Sequence, residues 1–108
     1  MATITLTVTV SNPGSGNKYY IDGALQATVS MTAGNTYKFD QSDATNDGHP
    51  LRLSTTSDGT HNSGSAYTTG VTTPSEYTLI TVASDAPSTL YYYCSNHPAM
   101  GGSINISG

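Results

Sequence analysis

The chemistry of this chain concentrates in Cys94-Ser95-Asn96-His97-Pro98-Ala99-Met100, which holds the sole cysteine. A thiol, an imidazole three residues on and a thioether three further on converge only if the chain turns. Along an extended strand, successive side chains point to opposite faces. A thiolate, an imidazole and a thioether are soft or borderline donors, which suits copper and does not suit magnesium or calcium. Zinc prefers four strong donors, and a thioether is not one. A trigonal His₂Cys site with a weak axial Met needs a second imidazole. His49 and His61 are the candidates. His49 stands at a loop-to-strand junction, Asp47-Gly48-His49-Pro50-Leu51, where a rigid sheet can aim it. His61 falls within Gly59-Thr60-His61-Asn62-Ser63, where nothing local fixes it, and reads as a solvated surface histidine. The expected ligand set is therefore His49, Cys94, His97 and Met100.

Other chemistry fits less well. Cys94 and His97 lack an obvious orienting carboxylate and a helix N-terminus for an oxyanion, and Met100 has no role in thiol hydrolysis, so the chain does not read as an enzyme. Asp40, Asp43 and Asp47 depart from calcium-loop spacing and read as solvated loop carboxylates.

The elements that must position these residues are strands. Ser and Thr supply 32 of the 108 residues and there are 11 glycines, too few helix formers for a bundle. Ile4, Leu6, Val8 and Val10 alternate with threonines, the period-two pattern of a strand with one buried face. Lys18–Ile21 and Ala24–Gln26 flank Asp22-Gly23, a strong type I′ hairpin signal. Further strands are expected over 28–31, 36–40, 51–55, 77–82, 90–94 and 103–106, with a long polar loop over 57–70. Within Tyr91-Tyr92-Tyr93, alternation puts Tyr92 on the face of Cys94, inward, and Tyr91 and Tyr93 on the other. The expectation is one domain spanning 1–108, an all-β antiparallel Greek-key sandwich or barrel of seven or eight strands.

Composition excludes several functions. Three basic residues against seven acidic ones cannot track a phosphate backbone, so no nucleic-acid partner is expected. No apolar run approaches the roughly 20 residues of a membrane span. One cysteine forbids an internal disulfide. Residues 1–5 show neither a basic nor an apolar leader region, so the chain as given reads without a signal peptide, which leaves the cytoplasm, or the periplasm if a leader was removed. A monomer is the default.

A His at a strand start, followed by Cys-x2-His-x2-Met between the last two strands of a small β-sandwich, resembles the cupredoxins, the blue-copper family. The ligand-loop spacing, with Pro after the second His, is similar to that of the amicyanins. Gly-His-Pro-Leu-Arg-Leu-Ser and Tyr-Tyr-Tyr-Cys-Ser-Asn-His also look like cupredoxin-type domains of marine phage virion proteins. The family resemblance implies one type 1 copper held by His49, Cys94 and His97, with Met100 as a long axial ligand. It also implies one-electron transfer to a redox protein partner. The phage resemblance implies an alternative, a structural or attachment domain that retains a copper loop. The solvent edge of His97, with Pro98, Ala99 and Gly101, forms an uncharged patch suited to electron exchange. Many family members follow the first His with Asn, whose backbone N–H points at the cysteine sulfur. Pro50 stands there in this chain and has no N–H. The expectation is that the Asn96 backbone N–H supplies that donor.

Overall fold

The computed structural model describes residues 3–108. Ten strands occur among them: β1 (Thr3–Ser11), β2 (Lys18–Ile21), β3 (Ala24–Leu25), β4 (Val29–Thr32), β5 (Thr36–Asp40), β6 (Leu51–Ser54), β7 (Val71–Thr72), β8 (Tyr77–Thr81), β9 (Thr89–Cys94) and β10 (Gly102–Ser107). They form two sheets, ordered β3-β2-β1-β5-β8-β7 and β4-β10-β9-β6. The all-β sandwich is as expected, with two differences. The strands number ten rather than seven or eight: β3 is the short hairpin arm expected after Asp22-Gly23, whereas the two-residue β7 follows the long polar loop and is too short to show a period. The sheets are mixed rather than antiparallel, because β1 pairs β5 in parallel and β4 pairs β10 in parallel. Turn signals reveal which neighbours in sequence form hairpins, and say nothing of partners brought from afar.

Local chemistry explains most elements. Asp22 and Gly23 both have positive φ, at 50° and 85°, as a type I′ turn between β2 and β3 demands. In β1 the alternation buries Val8 and Val10, whereas Ile4, near the strand's start, stays 40% exposed. Val8, Tyr19, Phe39, Leu51, Leu53, Ile80, Leu90, Tyr92 and Ile104 fill the core, each at most 1% exposed. Tyr92 turns inward as alternation requires. Tyr93 lies on the opposite face and is nonetheless buried. The loop segment 57–64 folds over it, and a β-carbon on Gly59 would sit 2.5 Å from its ring.

Two short 3-10 turns interrupt the polar stretches, Ala44–Asn46 and Gly59–Asn62. Asp43 caps the first, accepting from the Thr45 N–H at 2.9 Å and the Thr45 hydroxyl at 2.6 Å. Thr45 Oγ1 in turn accepts from the Val10 N–H, and Asn46 Nδ2 donates to the Val8 carbonyl. The first turn is thereby fastened to β1. Neither turn spans a membrane, nor does any helix among the described residues.

Candidate metal centre

His49 descends from that fastened turn. Its N–H donates to the Asn46 carbonyl at 2.9 Å, and Gly48 before it takes φ of +77°, the left-handed region glycine enters without strain. Its carbonyl accepts two hydrogen bonds, from the Tyr19 hydroxyl at 2.6 Å and from Gln41 Nε2 at 2.7 Å. Gln41 also accepts from the Leu51 N–H, so one side chain spans the loop entering β6.

Cys94 ends β9 opposite Leu51 of β6. The Ser95 N–H continues that pairing to the Pro50 carbonyl at 3.1 Å, and Asn96 Nδ2 donates to the Gly48 carbonyl at 3.1 Å. The carbonyls of Gly48, Asn96's partner, and of His49 and Pro50 are thus all engaged. The turn carrying His97 and the turn carrying His49 are tied together by protein hydrogen bonds.

These ties bring three donors to one point. Cys94 Sγ lies 3.7 Å from His49 Nδ1 and 3.7 Å from His97 Nδ1, and the three donor atoms all lie within 4.8 Å of one another. The imidazole centroids are 4.7 Å apart. First-row metal bonds of about 2.3 Å to sulfur and about 2.0 Å to nitrogen, opened to a trigonal angle, would place such donors about 3.7 Å apart. The residues fit a metal ion bound by one thiolate and two imidazoles. Burial lowers the pKa of His49, and the neighbouring His97 lowers it further, which favours the neutral ring a metal requires. Cys94 is fully buried, His49 is 9% exposed, and His97 is exposed.

Met100 lies at the far end of the same loop and is 1% exposed. Its carbonyl accepts from the Tyr19 N–H at 2.9 Å. Between His97 and Met100 the chain passes Ala99 at φ +63°, a left-handed conformation that costs a residue bearing a β-carbon roughly 1–2 kcal/mol. His97, Pro98 and Ala99 are exposed and Gly101 is half-buried.

His61 departs from the sequence reading in one respect. It is outside the cluster and exposed, as expected, yet it is anchored. Its Nε2 lies 2.7 Å from the Cys94 carbonyl, and its ring meets Tyr93 edge-on at 6.3 Å. A carbonyl only accepts, so Nε2 carries the proton. The 3-10 turn Gly59–Asn62 supplies the rigidity that the polar sequence hides.

Sequence reasoning missed Tyr19, Gln41 and Asn46 as supports of His49. Tyr19 reaches His49 from 30 residues away, and Asn46, three residues before His49, is itself held by the Val8 carbonyl 38 residues away, contacts that local patterning cannot show. Burial pushes the Tyr19 phenol well above its ordinary range, with Cys94 nearby adding to the effect, so it stays an O–H donor.

No family model matches the chain, and no curated protein matches it either. Solved structures do. Rusticyanin from Thiobacillus ferrooxidans superposes with a TM-score of 0.54 at 16% identity, covering 97% of this chain and 77% of that one. Reduced rusticyanin gives 0.52 at 14% identity, over 97% and 79%. A structure from a study of substituted rusticyanins gives 0.54 at 15% identity, over 97% and 77%. This chain therefore has the fold of rusticyanin, a cupredoxin, and brings a His-Cys-His group together on it.

Proposed function

We propose that this protein is a mononuclear type 1 copper protein that carries single electrons. The observation that carries the reading is one buried thiol flanked at 3.7 Å by two imidazoles. His49, Cys94 and His97 would hold the ion, with Met100 as the weak axial ligand. Copper would supply the Cu(I)/Cu(II) couple. The protein's own part is to hold these donors still. Tyr19 and Gln41 fix the His49 carbonyl, and the pairing of Ser95 with Pro50 fixes the entry to the ligand loop. Donors held this firmly rearrange little when an electron arrives. Burial of Cys94 and His49 excludes water, while the exposed edge of His97 leaves one short way out. The patch of His97, Pro98, Ala99 and Gly101 carries no formal charge of its own when His97 is neutral, and the two charges at its border, Lys18 and Asp58, are already bonded to the Ala99 backbone, so a redox protein can approach it at little desolvation cost.

The test is to add Cu(II) to the apoprotein and record visible absorption together with electron paramagnetic resonance. A strong thiolate-to-copper band with narrow hyperfine splitting is expected. The band should vanish in Cys94→Ser. It should persist in Met100→Leu, with a raised potential, because the axial bond is weak and its loss removes donation to Cu(II). It should also persist in His61→Ala. A protein that stays colourless with copper and holds zinc instead would overturn the reading and leave a metal-stabilised structural domain.

A further inference from the structure

Ala99 separates an exposed stretch, His97-Pro98, from buried Met100, and its φ of +63° is one that residues with a β-carbon keep only where the surroundings enforce it. Three side chains from outside the loop do so. Both carboxylate oxygens of Asp58 accept the Ala99 N–H, at 2.9 and 3.1 Å. On the other side, Lys18 Nζ and Gln26 Nε2 donate to the Ala99 carbonyl at 2.7 and 3.3 Å. An anion holds the donor of this residue and a cation holds its acceptor, the charge-assisted arrangement that is stronger than a neutral one. Asp58 belongs to the same segment as His61, which grips the Cys94 carbonyl. That segment is itself closed by the Gly59 N–H to the Thr56 carbonyl and the Gly64 N–H to the Gly59 carbonyl. One folded loop therefore holds the ligand turn near both of its ends.

We propose that Asp58, acting against Lys18, is a positioning residue for the metal centre: it locks Ala99 in its left-handed turn and thereby directs Met100 inward. Only Pro98 and Ala99 separate His97 from Met100, so rotating Ala99 out of this conformation would swing the following side chain off its path. A weak axial ligand cannot hold itself in place through its metal bond, so the chain must do it. Because the axial ligand tunes the potential of such sites, the consequence of the clamp is a set reduction potential. That consequence rests on the copper reading above, whereas the clamp consists of protein hydrogen bonds alone and can be read in the apoprotein.

The variants are Asp58→Gly, Asp58→Asn and the pair Asp58→Gly with Ala99→Gly. Asp58 has φ of +62°, so glycine removes the carboxylate without adding strain at that position. In the apoprotein, amide hydrogen exchange of Ala99 and the Met100 ε-methyl resonance are measured by nuclear magnetic resonance. In the copper-loaded protein, affinity and reduction potential are measured. Asp58→Gly should lose protection at the Ala99 amide, move the Met100 methyl resonance, shift the potential and weaken copper binding by about 10–100-fold, as loss of an outer support does. Asp58→Asn, which keeps an oxygen acceptor, should lie between. Adding Ala99→Gly should move the methyl resonance back toward wild type, since glycine needs no clamp to enter that conformation. An unprotected Ala99 amide in the wild-type apoprotein would overturn the proposal. So would an Asp58→Gly variant whose Met100 resonance is unmoved. If the protein binds no copper, the function reading falls and the two apoprotein measurements still decide the clamp.

Discussion

Gly101→Ala places the sharpest demand on the coupling between the ligand loop and the sheet. A β-carbon at residue 101 would lie 1.7 Å from the Tyr92 carbonyl oxygen and 2.9 Å from the Tyr93 Cα, all backbone atoms of β9. No rotamer change relieves this contact, and opening it from 1.7 Å to even 3.0 Å asks for 1.3 Å of backbone movement. The movement must occur where Gly102 pairs with Tyr92, where the Met100 carbonyl accepts from the Tyr19 N–H, and where Gln26 Nε2 donates to the Gly101 carbonyl. Overpacking of a tight site costs about 1–3 kcal/mol, and a clash of backbone with no side chain to yield belongs at the top of that range. Losing one or two of the adjoining hydrogen bonds adds about 1 kcal/mol each. A loss of roughly 3–5 kcal/mol follows, a large part of the 5–15 kcal/mol that typically holds a domain together. With a urea slope of about 2 kcal/mol per molar, the unfolding midpoint should fall by roughly 1.5–2.5 M. Since the same movement displaces Met100, copper affinity should fall in the protein that remains folded. A midpoint within about 0.3 M of wild type at unchanged slope, with an unaltered visible band, would refute the reasoning.

Three further predictions concern other parts of the molecule. Ala99→Glu should leave the visible band in place and slow electron self-exchange by roughly two- to tenfold at low salt, with added salt restoring part of the rate, because two like charges then meet across the encounter. An unchanged self-exchange rate measured from line broadening would show that electrons leave elsewhere. If the Asn96 backbone N–H donates to the Cys94 sulfur, Asn96→Pro should lower the potential and shift the band. Asn96→Ala loses only the side-chain bond to the Gly48 carbonyl and should leave the potential near wild type, so equal effects in the two variants would refute the donor. The Asp43 carboxyl is held below its ordinary range by the Thr45 hydroxyl and N–H, so its stabilising effect is complete above the unfolded carboxylate range and is lost as pH falls through the depressed folded value. Asp43→Asn should therefore flatten the acid limb of the stability profile in urea titrations, and an acid limb as steep as wild type would contradict this.

What depends on neighbours along the chain can be read from the residues alone. Period-two alternation specifies strands because a strand has two faces, and Asp22-Gly23 specifies its turn because both residues must take positive φ. The spacing of Cys94, His97 and Met100 is legible for the same reason, since a single turn carries all three. His49 is expected over His61 on rigidity alone, with the polar loop taken as slack, and the three-residue cluster that forms contains His49 and leaves His61 outside. The remaining features come from contacts between distant segments. Such contacts brought Nδ1 of His49, 45 residues from Cys94, to 3.7 Å from the sulfur through Tyr19, Gln41 and Asn46. They also folded the 57–64 segment onto Tyr93, turning His61 from a free side chain into an anchor on the Cys94 carbonyl. Parallel pairing of β1 with β5 and of β4 with β10 belongs to the same class. Such contacts join residues far apart in the chain, and they form only when burial of two sheets repays the entropy of closing the long loops between them, a balance no local pattern records.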